Sequence, residues 1–334
     1  MSVFVQQQGT FCDFPGGDSW VILSPIEQSI KRKIEAVGTP LKDWDINIYR
    51  GVLTGYNEAF IISSEKRDEI LTNCTTEEER KRTEELIRPI LRGRDIKRYG
   101  YEWAKLYLIA TFPARHYDIE QYPAVKHYLL SFAYEDLIAN GNEWVANGHL
   151  AEFCQQKLAQ TGQYVVVNGK HVLDNKGNKE KGRKKTSNKW FETQDSISYW
   201  EDFFKPKIIY PNMTKYMPFC FDDNGYLTNQ KCFIITGEYT AYLTAFLNSS
   251  IFKYCFRDSF PELQGGTREL SKIFFDSIPV LKIDEAQEQQ FEEAVRDIQR
   301  SYTKEKAQKI DMLLFDAYHL DENDISEIGY IEIK

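Results

Sequence analysis

Short alternating apolar segments and amphipathic helical ones are interleaved along this chain without a regular strand–helix–strand beat, and this irregularity constrains the fold more than any other feature. A doubly wound sheet needs parallel strands joined by crossover helices in steady alternation. Here Asp45–Val52 alternates Ile46, Ile48 and Arg50 against Asn47, Tyr49 and Gly51, and Glu58–Ile62 reads as a second strand. Residues 64–90 are charged and helical in pattern up to Arg88-Pro89, and Ala104–Phe112 is again extended. YVVVNGKHVL places Asn168-Gly169 between alternating arms, and PFCFDDNGYLTNQKCFIITG does the same around Asn224-Gly225, both hairpin signals. The expectation is an α+β fold, mixed and strand-rich, with flanking helices and a helical C-terminal segment.

The helices carry their own punctuation. In SPIEQSIKRKIEAVG, Ser24 suits an N-cap, Pro25 the first helical position, Glu27 the capping-box position and Gly38 the stop. TAYLTAFLNSSIFKYCF has helical spacing, Asp284–His319 reads as two amphipathic helices, and Asp321–Asp324 caps a last short one. These signals divide the chain into a lead-in segment with one helix (1–45), a central domain (46–283) and a helical C-terminal segment (284–334).

With 42% hydrophobic and 14% aromatic residues in 334, there is ample material for a core. No stretch approaches the ~18 uncharged apolar residues of a membrane span, and the start lacks signal-peptide character, which points to the cytoplasm. The six cysteines form no CxxC pair and the five histidines show no metal-ligand spacing, so no metal site is expected. Glycine-rich cofactor loops after a strand, GxSxG, GxxxxGK[ST] and HExxH are absent. Two E-x-K spellings, Glu79–Lys81 and Glu332–Lys334, fall in a solvated charged run and at the chain end, and neither makes a convincing nuclease element.

The net charge of −8 argues against a polyanion, but it is unevenly placed. Residues 281–334 hold 7 Lys/Arg against 14 Asp/Glu, whereas Lys170–Lys189 holds 8 cations against 2 acids. Patches therefore matter more than the total. Arg92-Gly93-Arg94-Asp95-Ile96-Lys97-Arg98 puts four cations around one acid, either to grip phosphate or as a solvated turn in which Asp95 pairs an arginine. Lys184-Lys185-Thr-Ser-Asn188-Lys189-Trp190 mixes cations, hydrogen-bonders and an aromatic, as nucleic-acid surfaces do, although a flexible charged loop has the same composition. Gly265-Gly266-Thr267-Arg268 is a further such place, and Gly51-Val-Leu-Thr54-Gly55-Tyr56-Asn57 is a turn-forming box that invites close approach.

Taken in order, INIYRGVLTGYNEAFII, ILRGRDIKRY, FKPKIIYPNM, TAYLTAFLNSSIF, GGTRELSKIFFDSIPV and KIDMLLFDAYHLDENDISEI resemble the TaqI-like C-terminal specificity domain of type IIG restriction-modification enzymes and adenine-specific DNA methyltransferases. The resemblance spans about residues 20–334. It implies a bacterial DNA target-recognition module, an excised fragment or separate subunit, that binds double-stranded DNA beside a methyltransferase and endonuclease domain or subunit. S-adenosylmethionine and magnesium would then belong to those catalytic domains, with no cofactor, metal or catalytic residue in this chain. The resemblance maps its TG-x-N box onto Thr54, Gly55 and Asn57, its GRDI box onto Gly93–Ile96 and its PKI strand onto Pro206–Ile208. The DNA-binding set expected is Thr54, Tyr56, Asn57, Arg92, Arg94, Lys97, Arg98, Lys184, Lys185, Asn188, Lys189, Lys207 and Arg268, with Gly51, Gly55, Gly93, Gly265 and Gly266 shaping turns. Motifs shared among proteins of different specificity cannot encode that specificity, so base readout is expected from loops such as 165–200 and 211–231. Two other classes stay open at this point: an enzyme with an unrecognised site, and a protein-interaction module that keeps the fold.

Overall fold

The computed structural model describes residues 24–130 and 187–330, so the Asn168-Gly169 hairpin and most of the lysine-rich segment lie outside the described residues. Contacts group the chain into two compact units. One comprises the chain up to Arg50, Arg92–Glu102 and Asp202 onward; the other comprises Gly51–Leu91 and Trp103–Glu201.

In the first unit, four antiparallel strands form a sheet in the order Ile46–Arg50, Cys232–Gly237, Lys207–Pro211, Cys220–Asp222. Ile208, Tyr210, Phe221 and Ile235 from these strands enter the unit's main core. The helix Thr240–Asn248 joins them there and is buried at every position, as its all-round apolar sequence requires. Its first turn has no side-chain cap of its own. Glu288, from the helix Glu285–Arg300, accepts the Ala241 and Tyr242 amides at 3.2 and 3.0 Å instead. Burial pushes the Glu288 carboxyl up to about 7, against the lowering by those two amides. At the other end, Asn248 binds Phe219 as a strand would, accepting its amide at 3.1 Å and donating to its carbonyl at 2.7 Å.

The capping signals of the sequence are all realised here. Ser24 and Glu27 form a reciprocal capping box on Pro25–Val37, which buries Ile30 and Ile34. Asp284 with Gln287 and Asp321 with Asp324 do the same for the helices Glu285–Arg300 and Glu322–Ile328, and Lys304–Ala317 lies between them. Gly38 ends its helix in extended backbone rather than a left-handed turn; a Cβ there would lie 2.6 Å from Pro279 Cβ, so the glycine is needed for close approach. Asn224-Gly225 does not make a hairpin. Cys220–Asp222 pairs with Lys207–Pro211 instead, and the Asp222 carboxylate ties the intervening loop by accepting the Asn224 and Tyr226 amides at 3.1 and 3.2 Å.

In the second unit, Ile61–Ser63, Leu106–Ile109 and Ile87–Leu91 pair antiparallel with Leu106–Ile109 in the middle. The sequence reading of Glu58–Ile62 as a strand is corrected: Asn57–Phe60 is one helical turn, because Tyr56 O accepts both the Ala59 and Phe60 amides, and only Ile61–Ser63 is extended. The charged stretch is likewise two helices, Ser64–Thr72 and Glu77–Leu86, followed by a strand where a helix end was expected. Glu79 is consumed by structure: its carboxylate takes the Thr75 amide and hydroxyl and the Ala124 amide, joining two helix starts.

Candidate nucleic-acid interface

The loop Arg92–Tyr101 is part of the first unit and lines an open groove of about 1100 Å³. The groove lies within the first unit. Pro211–Thr214, Tyr216, Pro218, Asn229, Lys231, Ile298, Gln299 and Tyr302 line it as well.

Asp95 organises the loop. Its Oδ2 accepts the Arg92 amide at 2.9 Å and Nε at 3.0 Å, and its Oδ1 accepts Arg92 Nη2 at 2.8 Å. Asp95 is buried, so this forked pair is shielded from water and fixes the turn Gly93–Asp95. Arg92 is therefore the local partner of Asp95, the alternative that the sequence left open. Gly93 gives room to protein: a Cβ would lie 3.2 Å from the Lys231 carbonyl. Arg98 is also held, donating to Asn248 O at 2.7 Å and to the Tyr302 hydroxyl at 3.1 Å. Lys97 pairs with exposed Glu102 at 3.4 Å, a contact that solvent makes weak. Arg94 is exposed and has no hydrogen-bond or ion-pair partner among the described residues, and Lys231 is exposed too, with no such partner for its ammonium. Tyr216 and Tyr302, 51% and 46% exposed, stand among these cations. The groove therefore offers exposed positive charge and exposed aromatic side chains together, which suits phosphates and bases.

Two of the expected DNA-binding cations leave the set. Lys207 is 0% exposed; its ammonium donates to Phe203 O and pairs with Asp222, which is also 0% exposed. Burial pushes the Lys207 pKa down and Asp222 pulls it back up, so the ammonium serves the sheet and cannot reach a phosphate. Arg268 is buried too, donating to Phe260 O at 2.7 Å, Asp258 at 2.7 Å and Glu262 at 2.9 Å. It clasps the loop that contains Gly265 and Gly266, both with positive φ (79° and 77°) as a glycine turn requires.

The turn-forming box belongs to the second unit. Buried Thr54 donates to Asn57 Oδ1 at 2.7 Å and accepts the Tyr56 amide at 3.2 Å, so it braces the turn. Gly55 sits at φ 76°, with its missing Cβ 3.0 Å from Gln194. Gly51 is buried, Tyr56 half-buried and Asn57 exposed. The structure brings Asn188 to the same place: its amide nitrogen donates to Thr193 O and Gln194 O at 2.8 Å each, and Gln194 in turn donates its backbone amide to Thr54 O. Lys189 is exposed, 5.6 Å from the Phe191 ring centre. Lys184 and Lys185 lie outside the described residues.

The sequence named the loop 211–231 but none of Asn212, Tyr216 or Lys231, since one cation or tyrosine in a loop carries no periodic signal. Tyr302 was missed altogether because it follows a helix 200 residues away from the basic loop that it meets. Among the described residues no group of three His, Cys, Asp or Glu is arranged to hold a metal, and no helix is long and apolar enough to cross a membrane.

Residues 151–280 match the TaqI-like C-terminal specificity domain, a stretch that includes the groove-lining residues between 211 and 231. No curated protein matches the chain in sequence. Among solved structures, the type IIG restriction endonuclease BpuSI is similar with a TM-score of 0.54 and 15% identity, over 91% of this chain and 32% of that one. The type IIL restriction-modification enzyme MmeI, solved in complex with DNA, gives a TM-score of 0.47 and 12% identity, over 87% of this chain and 35% of that one. The chain thus spans about a third of either enzyme's length. The likeness to BpuSI is one of fold and agrees with the α+β class.

Proposed function

We propose, for a chain whose residues 151–280 match the TaqI-like C-terminal specificity domain, that its work is to recognise a DNA sequence on behalf of a restriction-modification enzyme. The observation that carries this is the groove. Part of its lining comes from the matched residues 151–280, and Arg94, Lys97 and Lys231 line it together with Tyr216 and Tyr302. The cations supply affinity for the phosphate backbone and the matched residues supply sequence readout.

In this reading methylation and cleavage are performed by methyltransferase and endonuclease domains or subunits that this chain serves. S-adenosylmethionine and magnesium are needed there and not in this groove, and the methylated base is an adenine. The recognition module decides which base reaches the catalytic pocket by holding the duplex in register. Arg94, Lys97 and Lys231 are the phosphate contacts of the groove; Tyr56, Asn57 and Lys189 form a second candidate contact on the other unit, where Thr54 and Asn188 brace the backbone from inside.

The test is duplex-DNA binding by the full chain over a series of salt concentrations. Affinity should fall steeply with salt, and Arg94→Ala should weaken all duplexes alike while lowering the log–log salt slope by about one. Binding that is indifferent to salt and to Arg94 would remove the groove as the DNA site.

A further inference from the structure

Three carboxamides line the groove, and two of them are committed to the protein itself. Asn229 Oδ1 accepts the Lys231 amide at 3.2 Å, and Gln299 Nε2 donates to Tyr99 O and Phe221 O at 2.8 and 2.7 Å. Asn212 differs. Its side-chain oxygen is shielded from solvent without a hydrogen-bond partner, and neither end of its carboxamide has a protein partner among the described residues. A buried polar atom left unpaired is costly, and such atoms persist in native structures where a ligand or a functional strain explains them.

The backbone of Asn212 is by contrast fixed from two sides. Its amide donates to Lys231 O at 2.8 Å, and its carbonyl accepts the Leu270 amide at 2.7 Å. It sits between the sheet strand Lys207–Pro211 and the short strand Met213–Thr214, which pairs with Arg268–Glu269. The side chain is thus unsatisfied and its support is rigid, the combination that a reading head needs. No hydrogen bond holds the side chain in the rotamer that shields the oxygen, so a turn about its first torsion is open to it and would bring both ends of the carboxamide to the groove.

We propose that Asn212 reads an adenine directly in the major groove of the bound duplex. Its oxygen would accept from adenine N6 and its amide nitrogen would donate to N7, a bidentate match that no other base offers in that groove. This rests on the reading of the groove as a DNA site and names the residue that gives it sequence preference. Arg94 and Lys231 line the same groove and would hold phosphates, which carry no sequence information.

The experiment is selection of a randomised duplex library by the full chain, at fixed salt, for the wild type, Asn212→Ala and Asn212→Asp, with affinity for the unselected library measured in parallel. Asn212→Ala should lose discrimination at a single adenine position by about 5- to 150-fold, leave the other positions intact and bind the unselected library as the wild type does. Asn212→Asp keeps the shape and the backbone bonds but has no donor, so the adenine preference should disappear there in favour of cytosine, whose N4 donates. If the wild type enriches a motif and both variants enrich the same motif with the same strength, Asn212 is not a reader and the DNA reading survives. If the wild type enriches no motif, the DNA-specificity reading fails and this inference fails with it.

Discussion

Replacing Lys207 by methionine separates the two roles that its sequence context allowed. Methionine keeps most of the apolar stem but removes the ammonium that pairs with Asp222 and donates to Phe203 O in a site with no solvent exposure. Breaking a buried ion pair from one side typically costs 3–5 kcal/mol, because the remaining charge stays out of water; we expect about 3 kcal/mol here. The lower end applies because Asp222 keeps two amides, those of Asn224 and Tyr226, each a charge-assisted hydrogen bond. Against a total stability on the order of 5–15 kcal/mol this is a large loss, and it should appear as a fall in melting temperature of roughly 6–12 °C. Urea unfolding at 25 °C, followed by far-ultraviolet circular dichroism, gives the free energy directly. The double variant Lys207→Met with Asp222→Asn should recover part of the loss, since no unpaired charge is left. DNA affinity per folded molecule should not change. A Lys207→Met protein as stable as the wild type but weakened in DNA binding would refute the burial argument and restore Lys207 to the interface.

Other outcomes follow from the same geometry. Gly237→Ala should cost more than about 2 kcal/mol in urea unfolding, because φ is 133° and the new Cβ would lie 2.2 Å from Asp45 O; Gly265→Ala, with φ 79° and open space around it, should cost only about 1–2 kcal/mol. Arg92→Ala should lower stability by about 1–3 kcal/mol by stripping buried Asp95 of two hydrogen bonds, whereas Arg94→Ala should leave stability unchanged and weaken DNA binding alone. Glu288 has a folded-state pKa of about 7 against 4.5 for the ordinary group, so the folded state holds the extra proton between those values. Its contribution is full below about pH 4.5 and is lost as pH rises through about 7. Unfolding measured from pH 5 to 8 should show that loss, and Glu288→Gln should flatten it.

What the sequence determined by itself was local. The Ser24–Glu27 capping box and the cap at Asp321 were legible because each is decided by residues within one helical turn, and the α+β class followed from segment periodicity. The motif resemblance was readable in the same way, since order and spacing along the chain carry it. Tertiary structure decided which polar residues are available. Lys207 and Arg94 both sit in basic boxes, yet strand register sets Lys207 opposite Asp222 inside the sheet, while the fork between Arg92 and Asp95 leaves Arg94 exposed. Asn224-Gly225 spelled a hairpin but lost it to the pairing of Cys220–Asp222 with Lys207–Pro211. The groove likewise depends on residues near 94, 212, 231 and 302 meeting in space. A charge acts according to its partners and its solvent, and both are set by contacts between segments far apart along the chain.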